Sequence, residues 1–130
     1  MDRQNISSGT IWESIAGYSR AVRIGNTIYV SGTTATDDAG KLVGANDPYA
    51  QTTFIILKIE HALKQGGASL QDVVRTRLYI TSPDLWEPVS KAHGEFFSTI
   101  RPANTLVAVA ALIGDGYLVE MEADAVIQVP

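Results

Sequence analysis

The sequence contains no cysteine, which excludes disulfide bonds, thiolate metal ligands and a cysteine nucleophile and leaves the redox compartment undetermined. Positive charge is also scarce, because 10 Lys and Arg residues are set against 14 Asp and Glu residues and the formal net charge is −4. This balance argues against nucleic acids or anionic membranes as partners. No apolar run reaches the ~18 residues that span a bilayer, and the first residues do not resemble a signal peptide. We therefore expect a cytoplasmic protein.

Motifs for metals, cofactors and hydrolase nucleophiles are missing as well. The sequence has no pair of histidines at ligand spacing, no phosphate-binding loop, no dinucleotide fingerprint and no G-x-S-x-G around Ser31. We accordingly expect no metal and no cofactor. His61 falls on the polar side of a predicted helix, whereas His93 lies among aromatic residues and is interpreted as a partly buried structural histidine rather than a catalytic one.

The 130 residues fit one domain over positions 1–130, since no repeat or linker-like stretch divides them. A short strand is predicted near Ile11–Glu13. The stretch "RAVRIGNTIYVSG" has two β-rich runs on either side of Gly25 and Asn26, which predicts a hairpin. The clearest helix is predicted from Pro48 to Gln65, with Asp47 as its N-cap and a Gly-Gly pair after its end.

The second half of the chain alternates strands and a helix. "VVRTRLYIT" has the two-residue period of a strand, "SPDLWEPVSKAHGEFFSTI" has helical spacing, and "TLVAVAAL" and "YLVEMEADAVIQV" predict two further strands. This order of elements indicates an α+β fold with two helices on one face of a mixed sheet. "TLVAVAAL" is apolar at both phases of its period, so we expect a second subunit to cover the face that the helices leave open.

Three acids share one phase of the last predicted strand, namely Glu120, Glu122 and Asp124. They could form cross-strand ion pairs with Arg75 and Arg77. Alternatively, one of them could act as a general acid/base, because a carboxyl group screened from water at a subunit junction has a raised pKa. The sequence leaves both interpretations open.

Arg101 is the third arginine of interest because it comes directly before Pro102. A residue before proline is biased towards an extended backbone, so the Arg101 side chain is expected to project from a loop. From there its planar guanidinium could bind a carboxylate with two parallel hydrogen bonds. The simpler alternative is a solvated loop residue.

Five stretches occur in the order and spacing of a known family: "GYSRAV", "YVSGT", "GGASLQDVVRTRLYIT", "RPANTLVAVAAL" and "VEMEADAVI". From about Ile11 to Ile127 the chain resembles the Rid (YjgF-like, reactive-intermediate deaminase) family, formerly labelled L-PSP endoribonuclease or translation-initiation inhibitor. The resemblance implies a chorismate-mutase-like fold and a homotrimer with three clefts between subunits. It also implies cofactor-free hydrolysis of enamines and imines such as 2-aminoacrylate.

The resemblance assigns roles to particular residues. Glu120 matches the family's acid/base glutamate, and the residues that match its pocket are Tyr18, Ser31, Gly32 and Thr33. The family's deaminase motif reads P-A-R-[ST], whereas this chain has Asn104 in place of the arginine that binds the substrate carboxylate. Ser90 stands where the family usually has an asparagine on the second helix.

Asn104 therefore leaves the carboxylate contact to another residue, and we predict that Arg77 or Arg101 supplies it. The expected function is binding of a small carboxylate metabolite in clefts between subunits, with weak or altered enamine/imine deaminase activity. The alternative is a non-catalytic, regulatory metabolite-binding module. A ribonuclease or translation inhibitor has little support, since the acidic chain offers no basic stripe for RNA.

Overall fold

One mixed sheet organises the chain, and the computed structural model describes residues 2–129. Its six strands follow the spatial order β1-β2-β3-β6-β4-β5, in which β4 and β5 are parallel and the other neighbours antiparallel. The strands are β1 (Arg3–Ile6), β2 (Ala21–Ile24), β3 (Thr27–Thr33), β4 (Val73–Ile80), β5 (Ala103–Ala108) and β6 (Val119–Val126).

Two long helices cover one face of this sheet. These are α2 (Pro48–Gln65) and α3 (Trp86–Phe97). A shorter helix, α1 (Ile11–Ala16), precedes β2, and short 3-10 turns precede β4 and α3. Buried residues of α2 and α3 share one hydrophobic core with β3, β4 and β6. The predicted α+β architecture is confirmed. Within residues 2–129, no helix is both long and apolar enough to cross a membrane.

Helix α2 begins and ends where its sequence predicts. The Asp47 side chain accepts a hydrogen bond from the Ala50 N–H group at 3.0 Å, and Pro48 occupies the first turn. Ile56, Ile59 and Leu63 fall on one face and are fully buried. The apolar face of α2 is thus the main contact between the helical layer and the sheet.

Strand β6 separates apolar from acidic side chains. Val119, Met121 and Ala123 are fully buried under the helices, while the three acids alternate with them on the opposite face. We call this opposite side, with the acids of β6 and the Arg77 and Tyr79 side chains of β4, the open face. It carries the polar groups that one chain leaves without a helical cover.

The strand predicted near Ile11–Glu13 is wrong, because these residues form the start of α1. The buried Glu13 carboxylate accepts hydrogen bonds from the preceding segment, including one of 3.0 Å from the Ser7 hydroxyl, and these bonds fold the chain back into a helical turn. Gly17 then ends the helix in the left-handed conformation, with φ 74°. The first strand is Arg3–Ile6, upstream of the predicted one.

Strand β5 is shorter and more exposed than predicted from "TLVAVAAL". It ends at Ala108 and lies at an edge of the sheet, where Val107 is 42% exposed within one chain. Exposed apolar side chains on an edge strand favour contact with another chain. Cover by a second subunit stays a prediction.

Candidate functional site

Glu120 lies on the open face against the end of β3. A bulge between Val30 and Thr33 alters the register of β3 on β6 at this point. A Cβ atom built on Gly32 would lie 3.1 Å from Glu120 Cδ and would overlap the carboxylate oxygen, so glycine leaves room for the acid. Burial raises the pKa of the Glu120 carboxyl group, an effect that the positive charge of Arg20 opposes.

Arg20 connects this carboxyl group to Tyr18. Its Nη2 atom donates a hydrogen bond of 2.6 Å to the Gly32 carbonyl oxygen, and its guanidinium carbon lies 5.8 Å from the centroid of the Tyr18 ring. We call Tyr18, Arg20, Gly32 and Glu120 the Glu120 cluster. The sequence predicts Tyr18, Gly32 and Glu120 at the site but not Arg20, which follows Tyr18 by two residues in the stretch "GYSRAV".

Lys58 of α2 brings a second cation to this region. Its Nζ atom donates hydrogen bonds of 2.9 Å to the carbonyl oxygens of Thr34 and Thr36, just beyond β3. Burial, followed by the charge of Arg20, lowers the pKa of the Lys58 ammonium group. No local pattern distinguishes Lys58, because it is one polar residue on an amphipathic helix.

Ser31 and Thr33 are held by the backbone. The Ser31 hydroxyl donates to the Ser19 carbonyl oxygen at 2.7 Å, and the fully buried Thr33 hydroxyl donates to the Ser31 carbonyl oxygen at 2.8 Å. Tyr18, Ser19 and Ser31 also line a cavity of about 500 Å³ whose other walls come from β1, β2 and α1. Ser31 and Tyr18 thus connect the cavity with the Glu120 cluster, whereas Thr33 shapes the bulge from inside.

Asn104 and Ser90 belong to a different pocket. This pocket of about 170 Å³ lies under the helices and is lined by Leu78, Val89, Ser90, His93, Asn104 and Leu106. Asn104 Nδ2 donates to Thr76 Oγ1 at 2.8 Å, and Thr76 Oγ1 shares a hydrogen bond of 2.9 Å with His93 Nε2. Within one chain the Asn104 pocket and the Glu120 cluster therefore lie on opposite sides of the sheet.

His93 is half-buried, as expected, and its burial lowers the pKa of the imidazole. The prediction that His61 faces water is also confirmed. Across residues 2–129, no three or more His, Cys, Asp or Glu side chains are grouped so that they could hold a metal ion.

Arg77 takes part in the ion pairs that the sequence left as an alternative. Its Nη1 atom lies 3.5 Å from Glu122 Oε1 and 3.4 Å from Asp124 Oδ2. The Tyr79 hydroxyl donates to the same Glu122 oxygen at 2.7 Å. Glu122 and Asp124 thus balance an arginine, whereas Glu120 forms no such ion pair within residues 2–129.

The extended backbone predicted for Arg101 is wrong. Arg101 has a φ of 55°, and its N–H group donates to the Phe97 carbonyl oxygen at 2.8 Å. This hydrogen bond to the last residue of α3 accompanies a left-handed backbone at Arg101, against the usual preference of a residue before proline. The Arg101 side chain is exposed, as the solvated-loop alternative requires.

We predict that Gly32→Ala reduces any reaction that depends on Glu120 while leaving the fold intact. Gly32 does not have a positive φ, so alanine is allowed there, but its methyl group overlaps the Glu120 carboxyl group and must displace it. A displacement of about 1 Å costs on the order of 100-fold in rate. Turnover and the thermal unfolding midpoint should be measured together. Gly94→Ala, where a Cβ meets nothing within 4 Å, is the matched control.

Residues 10–127 match the family described as Endoribonuclease L-PSP. An uncharacterized protein of Streptomyces coelicolor is 34% identical over 122 residues, which cover 94% of this chain and 90% of that protein. The 3-aminoacrylate deaminase RutC of Acinetobacter baylyi is 30% identical over 104 residues, or 80% of this chain and 82% of the deaminase.

Solved structures share the fold. A YjgF-family protein of Mycobacterium tuberculosis has a TM-score of 0.88 and 47% identity, covering 97% of this chain and 100% of that one. A Rid-family protein of unknown function from Yersinia pestis has a TM-score of 0.86 and 30% identity, also covering 97% of this chain and 100% of the other. The predicted YjgF-like architecture is thereby confirmed for the single chain.

Proposed function

Because the chain belongs to the Endoribonuclease L-PSP family, which includes the Rid and YjgF proteins, we propose that it hydrolyses a small carboxylate-bearing enamine or imine to an oxo acid and ammonia. The observation that carries this proposal is the state of Glu120. Burial raises the pKa of its carboxyl group, and Arg77 forms ion pairs with Glu122 and Asp124 instead. The deaminase activity of the Acinetobacter relative supports the reaction class.

Glu120 can transfer protons in both directions in this reaction. In its protonated form it donates a proton to the enamine carbon, which gives an iminium ion and the Glu120 carboxylate. The carboxylate then accepts a proton from the water molecule that attacks the iminium carbon. The resulting carbinolamine loses ammonia to leave the oxo acid, so one water is consumed and one ammonia released. A raised pKa suits both steps, because it increases the protonated fraction of Glu120 at a given pH and makes its carboxylate a stronger base.

We further propose that the complete cleft forms between copies of the chain, in a homotrimer. The Asn104 pocket with Ser90 lies under the helices, and the Glu120 cluster lies on the open face, so one copy does not bring them together. The exposed apolar edge at β5, which includes Val107, gives a second copy a surface to cover. In such a cleft the Asn104 pocket of one copy faces the Glu120 cluster of the next.

The second candidate function is non-catalytic binding of a small metabolite. Asn104 favours it, because an amide in place of a guanidinium lacks the charge that strengthens a contact with a carboxylate. Asn104 Nδ2 is in addition already bonded to Thr76. Arg77 is paired with two acids and Arg101 is exposed, which weakens the case for either as the replacement.

Ammonia release from 2-aminoacrylate, generated in place, distinguishes the two functions. We expect slow hydrolysis by the wild type and a gain of about 10-fold or more in kcat/KM for Asn104→Arg, since a charged hydrogen bond contributes ~1.5–3 kcal/mol. Asn104→Gln, which adds length without charge, should show no gain. If the wild type and Asn104→Arg are both inactive, the deaminase proposal fails and metabolite binding is favoured.

A further inference from the structure

Arg20 is held rigidly beside Glu120. Its backbone carbonyl accepts the Ser31 N–H group at 3.0 Å, and its Nη2 atom binds the Gly32 carbonyl oxygen at 2.6 Å. The Tyr18 ring lies under its guanidinium group at 5.8 Å. Three contacts therefore fix Arg20, and within residues 2–129 its guanidinium group donates to a single acceptor, the Gly32 carbonyl oxygen.

The guanidinium group of Arg20 has N–H donors that make no hydrogen bond to the described residues. It offers five N–H bonds, yet its Nε atom is buried and has no hydrogen-bond partner within residues 2–129. In the same range no carboxylate lies within ion-pair distance of Arg20, in contrast to Arg77, which has two. An unsatisfied buried donor on a cation is costly, and the charge of an anion bound at the other N–H groups of the guanidinium would offset part of that cost.

The charges around Arg20 also favour an anion. The positive charge of Arg20 acts on both the Lys58 ammonium group and the Glu120 carboxyl group of β6. Asp37 and Asp38 influence Lys58 from the turn beyond β3 but contribute less than its burial and Arg20. Arg20 and Lys58 thus place two cations near the half-buried Glu120 carboxyl group, whereas Asp37 and Asp38 act on Lys58.

We propose that Arg20 binds the carboxylate of the ligand at the Glu120 cluster and so replaces the guanidinium that Asn104 lacks. The inference rests on the proposed function and specifies its ligand as a small 2-oxo or 2-imino acid. The planar fork of Arg20 suits the carboxylate, while the adjacent Glu120 serves the carbon that bears nitrogen or oxygen. Arg20 thereby determines specificity for acids over neutral analogues.

The test is equilibrium binding of 2-oxobutyrate and of its methyl ester by titration calorimetry. For the wild type we expect tighter binding of the acid than of the ester. Arg20→Gln should weaken acid binding about 10- to 100-fold and change ester binding less than about 2-fold, because only the charged contact is lost. Arg20→Lys keeps the charge without the planar fork, so its affinity for the acid should lie between those of the wild type and Arg20→Gln. It also serves as the test if Arg20→Gln does not fold.

Two further variants make the test specific to Arg20. Lys64→Gln removes an exposed cation at the end of α2 and should bind both compounds like the wild type. Arg101→Gln examines the competing arginine. Unchanged acid binding by Arg20→Gln, equal losses of acid and ester, or a loss confined to Arg101→Gln would each overturn the inference and leave the proposed function standing. A wild type that binds neither compound would overturn both.

Discussion

Glu120→Gln is expected to lower kcat/KM for ammonia release by about 100- to 10,000-fold, the usual range for loss of a positioned general acid/base. Glutamine keeps the size and one carbonyl oxygen of glutamate but cannot exchange a proton with the enamine or with water. Glu122→Gln is the matched control, since Glu122 is engaged by Arg77 and Tyr79 instead. Comparable losses in both variants would show that the acids act through sheet structure, and full activity of Glu120→Gln would exclude its catalytic role.

The kcat/KM for ammonia release should also depend on pH through the ionisation of Glu120. Burial raises the pKa of the Glu120 carboxyl group above its ordinary value, so its protonated form persists to higher pH than in a solvated glutamate. Because that form makes the first proton transfer, kcat/KM should fall as pH rises through the raised pKa. The residual activity of Glu120→Gln should lack this limb.

Gln51→Leu is expected to lower the free energy of unfolding by about 3 kcal/mol or more. The fully buried Gln51 side chain donates from Nε2 to the Gly44 and Gly116 carbonyl oxygens, at 3.0 Å each, and accepts the Leu118 N–H group at 2.9 Å. Leucine fills the same space but leaves three backbone groups unpaired, each costing ~1–3 kcal/mol. That is a large share of the 5–15 kcal/mol typical of a domain.

Equilibrium urea unfolding at one fixed protein concentration measures this loss. Gln65→Leu is the matched control, because Gln65 is exposed at the end of the same helix and its replacement should change stability by less than about 0.5 kcal/mol. If Gln51→Leu and Gln65→Leu unfold at the same urea concentration, the hydrogen bonds from Gln51 to Gly44, Gly116 and Leu118 do not contribute to stability as predicted.

The elements predicted correctly are those whose local signals agree. Asp47, Pro48 and the apolar spacing of α2 all indicate the same helix, and the alternation along β6 separates its buried and acidic faces. Val74 shows the limit of such patterns. Its place in the alternation predicts burial, but a bulge between Val73 and Arg75 shifts the register and leaves Val74 48% exposed.

The candidate site could be predicted from the sequence only in part, because strand pairing also decides which side chains meet. Composition and alternation select three acids on β6, but only the pairing of β4 with β6 sets Arg77 opposite Glu122 and Tyr79 opposite Glu120. That register pairs Glu122 with Arg77, whereas burial raises the pKa of Glu120. Arg20 reaches Gly32 across the β2–β3 hairpin, and side-chain reach across a turn is not encoded in any local period.

The most direct test of the account is a crystal structure of the protein grown with 2-oxobutyrate. We predict that the acid lies at the Glu120 cluster of one copy, with its carboxylate on an arginine and with Ser90 or Asn104 of a second copy on its other side. An acid bound away from Glu120, or a Glu120 cluster that no second copy approaches, would contradict the proposal that a cleft between copies of this chain carries out the reaction.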